Sequence, residues 1–343
     1  MSRSGSGFGF ALVAVVALLN ASCSTGSRPS AASPGRTVEA SGTATPTVAS
    51  PPVTTGATSP SQPTATGTGG RLIVLADGPN GGRGLWSLSP DYHWTALADT
   101  PTASAIGRTA DGLALVTSAG IEARRGTDLS KSAGVAALKW VGQKPTAPIV
   151  GIDYSPSGKA ALVMADNSTL GYAVAGLDGT VVALTPAPTQ SFSPLVAWLD
   201  EGRLLVLSTD NQQVSRLAVV DVAAQTMNQA GALSGVRVFA LSADRKSIAA
   251  ATETAVYAEP YATFAGSLAP APIVTLAEGQ VVWAMALDTG GSRLFLLSGS
   301  IAADGSIGDV HELGYARQGS SWQKVLDSAV PFGRAFAQVY LAS

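Results

Sequence analysis

The sequence contains very few of the residues that build metal, haem or disulfide sites. Cys23 is the only cysteine among 343 residues, and His93 and His311 are the only histidines. A lone thiol has no intramolecular disulfide partner, and two imidazoles do not complete the usual ligand sets of zinc, copper or haem iron. We therefore expect no metal and no cofactor, and any Ser-His-Asp triad would need one of these two histidines.

Charge is also scarce. Charged residues make up 13% of the chain, and 21 basic against 23 acidic residues leave a net charge of −2. No basic stripe indicates nucleic-acid binding, and no polybasic segment indicates an electrostatic membrane contact. The G-x-S-x-G elbow, the H-E-x-x-H motif, the P-loop and the dinucleotide fingerprint are missing as well, so the common enzyme signatures do not identify a reaction.

The N-terminus has the features of an export signal. Residues 8–19, FGFALVAVVALL, form an apolar run of a dozen residues, which suits a signal-peptide core and is short for a membrane span of roughly 20 residues. Asn-Ala-Ser-Cys follows and resembles the end of a bacterial lipoprotein signal, with Asn20 where leucine is usual. The resemblance implies a signal over residues 1–23 and a lipid anchor on Cys23. Ordinary signal-peptidase cleavage and an uncleaved anchor are the alternatives, and all three place the remaining chain outside the cytoplasmic membrane.

Residues 24–68 consist almost entirely of Ser, Thr, Pro, Ala and Gly, without an aromatic residue. Such a segment cannot bury a core, so we expect a disordered linker. As a flexible chain it would have an end-to-end distance of roughly 35 to 40 Å. The linker is thus predicted to hold a folded domain, residues 69–343, away from its anchor.

Apolar runs recur through the predicted domain at a spacing of 42 to 46 residues. The recurring runs are RLIVLAD from Arg71, LALVTSA from Leu113, KAALVMAD from Lys159, RLLVLSTD from Arg203, SIAAATE from Ser247 and RLFLLSG from Arg293. Five of them follow another apolar run and a tight turn, such as Ser155-Pro-Ser-Gly-Lys159, and two further strand-like segments come after most of them. Four antiparallel strands in a period of about 40 to 50 residues indicate a blade of a β-propeller.

The count of runs predicts an all-β propeller of six four-stranded blades. The run at Arg71 has no first strand before it, whereas residues 334–343, RAFAQVYLAS, remain as an unmatched strand-like segment after the sixth blade. Pairing this C-terminal strand with the first run completes blade one and closes the ring, which leaves no exposed strand edge there. An open sandwich of two sheets is the alternative fold.

The turn between the first two strands of a blade carries a family resemblance. YSPSGKAALV in blade three and LSADRKSIAA in blade five resemble the Ser-Pro-Asp-Gly-Lys turn of the bacterial TolB-like and WD40-like propellers, with Ser157 in place of Asp and Arg245 in place of Gly. The resemblance covers roughly residues 69–343. It implies a protein-interaction platform in most cases and an enzyme in some, and the fold does not choose between them.

Carboxylates recur at the end of the second strand. The aligned position holds Asp77, Asp166, Asp210 and Glu253, with Ala119 and Gly299 in the other two blades. They would ring one face of the propeller as an acidic rim for a cationic ligand, a basic partner or calcium. The alternative is that they only initiate turns, since Asp and Glu side chains bond to nearby backbone amides.

Trp198 and Trp283 occupy the same place in two first strands, which border the central channel, and form the candidate aromatic contact surface. We expect a monomeric, lipid-anchored propeller that binds an envelope protein or a small ligand. A propeller enzyme, such as a hydrolase, lactonase or lyase with carboxylates at the channel mouth, is the alternative. Acidic groups that converge at the axis with raised pKa values would favour the enzyme.

Overall fold

The structure is a computed structural model. It describes residues 70–341 apart from 101, 127, 167–168, 185–188, 191–193, 211, 267–269 and 302–306. The predicted signal, the lipidation site Cys23 and the predicted linker over residues 24–68 lie outside the described residues. Within the described part of the chain, no helix is long and apolar enough to cross a membrane.

The described elements are strands and one short helix, numbered along the chain. Blades one and two contain β1 (Arg71–Asp77), β2 (Arg83–Leu88), β3 (Trp94–Asp99), β4 (Ala105–Thr109), β5 (Gly112–Thr117), β6 (Gly120–Arg125) and β7 (Gly134–Ala136). Blades three and four, with two accessory strands, contain β8 (Lys139–Trp140), β9 (Ile149–Tyr154), β10 (Ala160–Asp166), β11 (Thr169–Ala175), β12 (Thr180–Ala183), β13 (Thr189–Gln190), β14 (Val196–Trp198), β15 (Arg203–Thr209), β16 (Ser215–Asp221) and β17 (Thr226–Ser234). Blades five and six contain β18 (Val238–Leu241), β19 (Ser247–Ala251), β20 (Ala255–Pro260), α1 (Tyr261–Gly266), β21 (Val274–Thr275), β22 (Gln280–Leu287), β23 (Arg293–Ile301), β24 (Ile307–Gln318) and β25 (Ser321–Ala329), and β26 (Ala335–Leu341) follows.

The six-bladed propeller is confirmed. Blades two, five and six are separate four-stranded antiparallel sheets, and blade one has the order β26-β1-β2-β3. The C-terminal strand therefore completes blade one, with Val339 opposite Ile73 and Leu341 opposite Arg71. This pairing covers the edge of β1 that would otherwise be unpaired.

Apolar side chains fill the six seams between neighbouring blades, each with its own buried cluster. The second strands are buried on both faces, as Leu72 to Ala76 of β1 show, because a blade packs against a neighbour on either side. This explains why their sequences are continuous apolar runs without alternation. The inner strands approach closely enough that a Cβ on Gly107 would lie 2.8 Å from the carbonyl oxygen of Ile152 in the next blade.

Three local features differ from the sequence expectation. The strand-like segment after the fifth run, AVYAEPYA from Ala255, is extended only as far as Pro260, where β20 ends and the chain turns into α1. β8 adds to the outer edge of blade three in parallel with β12. β13 bridges β11 and β15, so blades three and four share one ten-stranded sheet.

Candidate functional site

The turn of blade three that lacks the usual aspartate is completed by the next blade. Glu201, in the corresponding turn of blade four, accepts hydrogen bonds from the backbone amide of Ser157 at 2.6 Å and from the Ser155 hydroxyl at 3.1 Å. Hydrogen bonds from Ser157, more than any other contact, lower the pKa of the Glu201 carboxyl below its usual range. The carboxylate missing at position 157 is thus supplied from 44 residues further along the chain.

The turn of blade five uses its arginine to reach other blades. Arg245 stands at the glycine position with φ of 62°, a left-handed conformation that L-residues rarely adopt. Its guanidinium donates hydrogen bonds to the carbonyl oxygens of Tyr154 in blade three and Trp198 in blade four. One guanidinium nitrogen also lies 3.7 Å from a carboxylate oxygen of Asp153.

Asp153 is the centre of a charged group that joins inner strands, which we call the inner bracket: Arg108, Asp153 and Arg245. The Asp153 side chain is 15% exposed, and its carboxylate accepts a hydrogen bond from the Trp198 backbone amide at 2.7 Å. Arg108 extends from blade two and donates to the Ser242 carbonyl of blade five at 3.5 Å. Burial raises the pKa of Asp153, which both arginines oppose, and burial lowers the pKa of Arg108. The bracket therefore ties blades two to five together through polar contacts that are already satisfied.

The four predicted rim carboxylates lie at the ends of second strands in four different blades. Asp77 pairs with Arg83 at 3.3 Å across its own hairpin, and Glu253 pairs with Arg237 of its own blade. Asp210 accepts hydrogen bonds from the backbone amides of Gln212 and Val214, each at 2.9 Å. These bonds stabilise the loop that follows Asp210. Asp166 is exposed at the end of β10, opposite Thr169.

The structure does not bring these carboxylates together. Among the described residues, no group of three or more His, Cys, Asp or Glu side chains is placed to hold a metal ion.

The two predicted tryptophans have different environments. Trp198 is completely buried in the seam between blades three and four, where it packs with Tyr172 and Leu204. Trp283 is partly exposed at a bulge of β22, and its ring lies over Gly299, where a Cβ would collide with it. They do not share a surface of the kind the sequence predicted, because Trp198 presents no exposed area.

His311 lies beside both an acid and a serine. Its Nδ1 lies 2.7 Å from an Asp327 oxygen, and Ser298 is its cross-strand neighbour on β23. The Ser298 hydroxyl is buried, however, and donates to the Val281 carbonyl at 3.0 Å while it accepts from Gln280. A serine with both roles occupied in a closed strand is not a competent nucleophile in this conformation.

The feature that sequence reasoning missed is an apolar surface at the outer edge of blades two and three, which we call the blade-three edge. Within the described part of the chain, the large hydrophobic residues that are exposed all lie here: Val135, Val141, Leu177 and Val182, at 52%, 61%, 78% and 44%. The two stretches of chain that form this edge lie side by side. The Val141 backbone amide donates a hydrogen bond to the Val181 carbonyl oxygen, and a Cβ on Gly179 would touch the Ala137 carbonyl oxygen.

Lysines are concentrated in the part of the chain that forms this edge, where Lys131 pairs with Asp128 at 3.1 Å and Lys159 lies 3.9 Å from Glu201. Four of the six lysines of the chain, Lys131, Lys139, Lys144 and Lys159, fall between residues 131 and 159 and are exposed. That clustering is the only sequence signal that could have located the surface. From Val182, an open groove of about 410 Å³ continues between blades three and four, with Val174, Leu184 and Val222 in its walls.

Comparisons with known proteins support the fold. TolB from Acinetobacter baumannii matches with a TM-score of 0.55 and 12% identity, over 79% of this chain and 66% of that one. A TolB candidate from Agrobacterium tumefaciens matches with a TM-score of 0.49 and 11% identity, over 80% and 98% of the two chains. A gluconolactonase from Xanthomonas campestris matches with a TM-score of 0.44 and 13% identity, over 66% and 86%.

The present chain therefore spans about two thirds of the length of the Acinetobacter protein, and the likeness to that protein, at 12% identity, shows the propeller fold alone. No protein-family model and no curated protein matches the sequence.

Proposed function

We propose that this protein is a lipid-anchored, extracytoplasmic propeller that acts as a binding module of the bacterial cell envelope. The apolar run and Cys23 of the N-terminus support the anchor, and the Ser/Thr/Pro/Ala composition of residues 24–68 supports a tether. The TolB-like architecture is compatible with an interaction platform.

The main support for a binding function is the blade-three edge, which we assign as the surface that contacts the partner. Exposed apolar patches of soluble domains mark interaction sites, and among the described residues the large exposed apolar side chains all lie on this edge. The lysines of this segment favour a partner with an apolar protein surface and acidic residues at its border, because opposite charge speeds encounter and selects the partner. The groove next to Val182 provides room for a side chain of that partner.

The anchor is tested by expressing the full chain in a bacterial host. The wild type should partition into the membrane fraction with the mass of a diacylated Cys23, whereas Cys23→Ala should lose both properties and Thr25→Ala should retain them. Equal partition of all three without a lipid mass would contradict the anchor and leave a secreted or signal-anchored propeller.

The contact surface is tested with the double variant Val141→Ser, Leu177→Ser. Both side chains are exposed, so the melting temperature should change little. After detergent extraction, the wild type should migrate as a complex larger than its 34.4 kDa chain, and the double variant as the single chain. A control with Thr226→Ser and Asn228→Ser, exposed in blade four, should behave as wild type. An unchanged complex in the double variant would refute this surface.

The enzyme alternative depends on Asp153, the buried acid of the inner strands. Its raised pKa is a property of general acids, but the carboxylate is engaged by the Trp198 amide and faces two arginines. Asp153→Asn would abolish an activity that used this group, and hydrolysis of a panel of lactones and esters by the wild type is the discriminating assay.

A further inference from the structure

The seam between blades six and one contains a buried acid without a partner. Glu312 lies on β24 opposite Leu297 and Ser328, on the face of blade six that packs against blade one. Its side chain is 0% exposed, and neither carboxylate oxygen has a hydrogen-bond partner among the described residues. Burying an ionised carboxylate in this way is strongly unfavourable, so Glu312 must be protonated while the seam is closed.

Other polar atoms in the same seam are also unsatisfied. The Nε1 of Trp94 and the Oε1 of Gln338 are buried without a partner, and both residues belong to the blade-one side. With the two Glu312 oxygens, this seam holds four of the eight such side-chain atoms in the described part of the chain. Native interiors satisfy most buried polar groups, so this concentration distinguishes the seam where the ring is closed by β26.

The groups that face Glu312 do not compensate for its charge. From blade one they are Tyr340 on β26, Tyr92 in the turn before β3, and Asp99 at the exposed end of β3. From blade six, Arg293 lies on the same face as Glu312 but four residue pairs away along the ladder, beside Asp288. His311, Lys324 and Asp327 form their own contacts on the other face. Burial alone accounts for the pKa of Glu312, which it raises well above the usual range.

We propose that the seam between blades six and one is a pH-sensitive closure of the propeller, held shut while Glu312 is protonated and opened when it ionises. Opening exposes the carboxylate to water. We expect blade one, which contains β26 and β1, to move away from blade six, because the two ends of the described chain meet in blade one. Above the pH at which an exposed Glu ionises, Glu312 is deprotonated in the open state and protonated in the closed state, so opening releases one proton. The opening equilibrium must then rise about tenfold per pH unit until the closed state also ionises.

Hydrogen exchange of the full chain between pH 5 and pH 9, corrected for the intrinsic exchange rate, tests this directly. Peptides from β24, β26 and β1 should lose protection about tenfold per pH unit relative to peptides from β5 and β10 in blades two and three. In Glu312→Gln this dependence should vanish, because glutamine does not ionise. Glu312→Leu provides the same test if the glutamine variant folds poorly, since it removes the buried polar group altogether.

Glu259→Gln is the matched control. Glu259 occupies the third strand of blade five, and its Oε1 is also buried without a partner, but it faces the seam between blades four and five. This variant should retain the wild-type dependence at β24, β26 and β1. The proposal is overturned if Glu312→Gln keeps the wild-type dependence, or if all six blades lose protection equally as the pH rises.

Discussion

Replacing Arg245 by glycine restores the glycine of the Ser-Pro-Asp-Gly-Lys turn pattern. The change should nevertheless lower the free energy of unfolding. Glycine adopts a φ of 62° without steric cost, so the backbone of the turn is relieved. The same change removes the hydrogen bonds to Tyr154 and Trp198 and one of the two arginines beside the buried Asp153. The sign of the effect therefore depends on which contribution is larger.

The magnitudes favour destabilisation. Release from the left-handed conformation contributes about 1 to 2 kcal/mol. Removing one member of a buried ion pair costs about 3 to 5 kcal/mol, because the remaining charge stays buried, and this figure includes the loss of its hydrogen bonds. The Arg245 and Asp153 side chains are 14% and 15% exposed, so solvent screening reduces the cost only modestly. We expect a net loss of about 2 kcal/mol, or roughly 4 to 8 °C in melting temperature for a domain of this size.

Thermal and urea unfolding of the purified protein measure this difference. Asp309→Gly is the matched control, because Asp309 has a φ of 50° and an exposed side chain, and it should be neutral or slightly stabilising. Arg245→Lys keeps the charge without the planar fork of donors and should fall between glycine and wild type. An Arg245→Gly protein as stable as wild type, or more stable, would refute the structural role assigned to the bracket.

Three further changes have defined outcomes. Glu201→Gln should lower the melting temperature at pH 7, and this difference from wild type should disappear as the pH falls through the lowered pKa of the Glu201 carboxyl, because protonation of the wild-type carboxylate removes its stabilisation. A pH series of melting curves against wild type checks this, and a constant difference at all pH values would contradict it. Truncation before Arg334 removes the partner of β1, so size-exclusion chromatography should show aggregates in place of the monomer; a stable monomer would disprove ring closure. Gly151→Ala places a Cβ against the Pro194 carbonyl oxygen and should cost about 1 to 3 kcal/mol in urea unfolding, whereas Gly82→Ala, with open space around it, should be near neutral; equal effects would contradict the close approach of the inner strands.

The blades could be predicted because most strands and turns have a recognisable local sequence pattern. A run such as Leu72 to Ala76 is apolar at every position, and a turn such as Ser155 to Lys159 contains the residues that bend the chain. The C-terminal strand was predictable by counting alone. The accessory strands β8 and β13 were not, because two-residue pairings carry no periodic signal.

The candidate sites depended on partners that are distant in sequence. Arg245 was visible as a departure from the turn pattern, but its acceptors lie 47 and 91 residues away. Glu312 is a charged residue of a type that is rarely buried, and only the packing of blade one against it makes it buried. The blade-three edge consists of valines and a leucine whose exposure no local pattern reveals.

Photo-crosslinking in living cells tests most directly the claim that this propeller works through its blade-three edge. A photoreactive amino acid at position 177 or 141 should give one discrete protein adduct, and the same residue at position 226 or 321, exposed in blades four and six, should give none. The adduct from position 177 should disappear when Val141 is also changed to aspartate, because the acidic border of the partner would be repelled. Adducts of equal yield at all four positions, or an adduct from position 177 that is unaffected by Val141→Asp, would contradict the account.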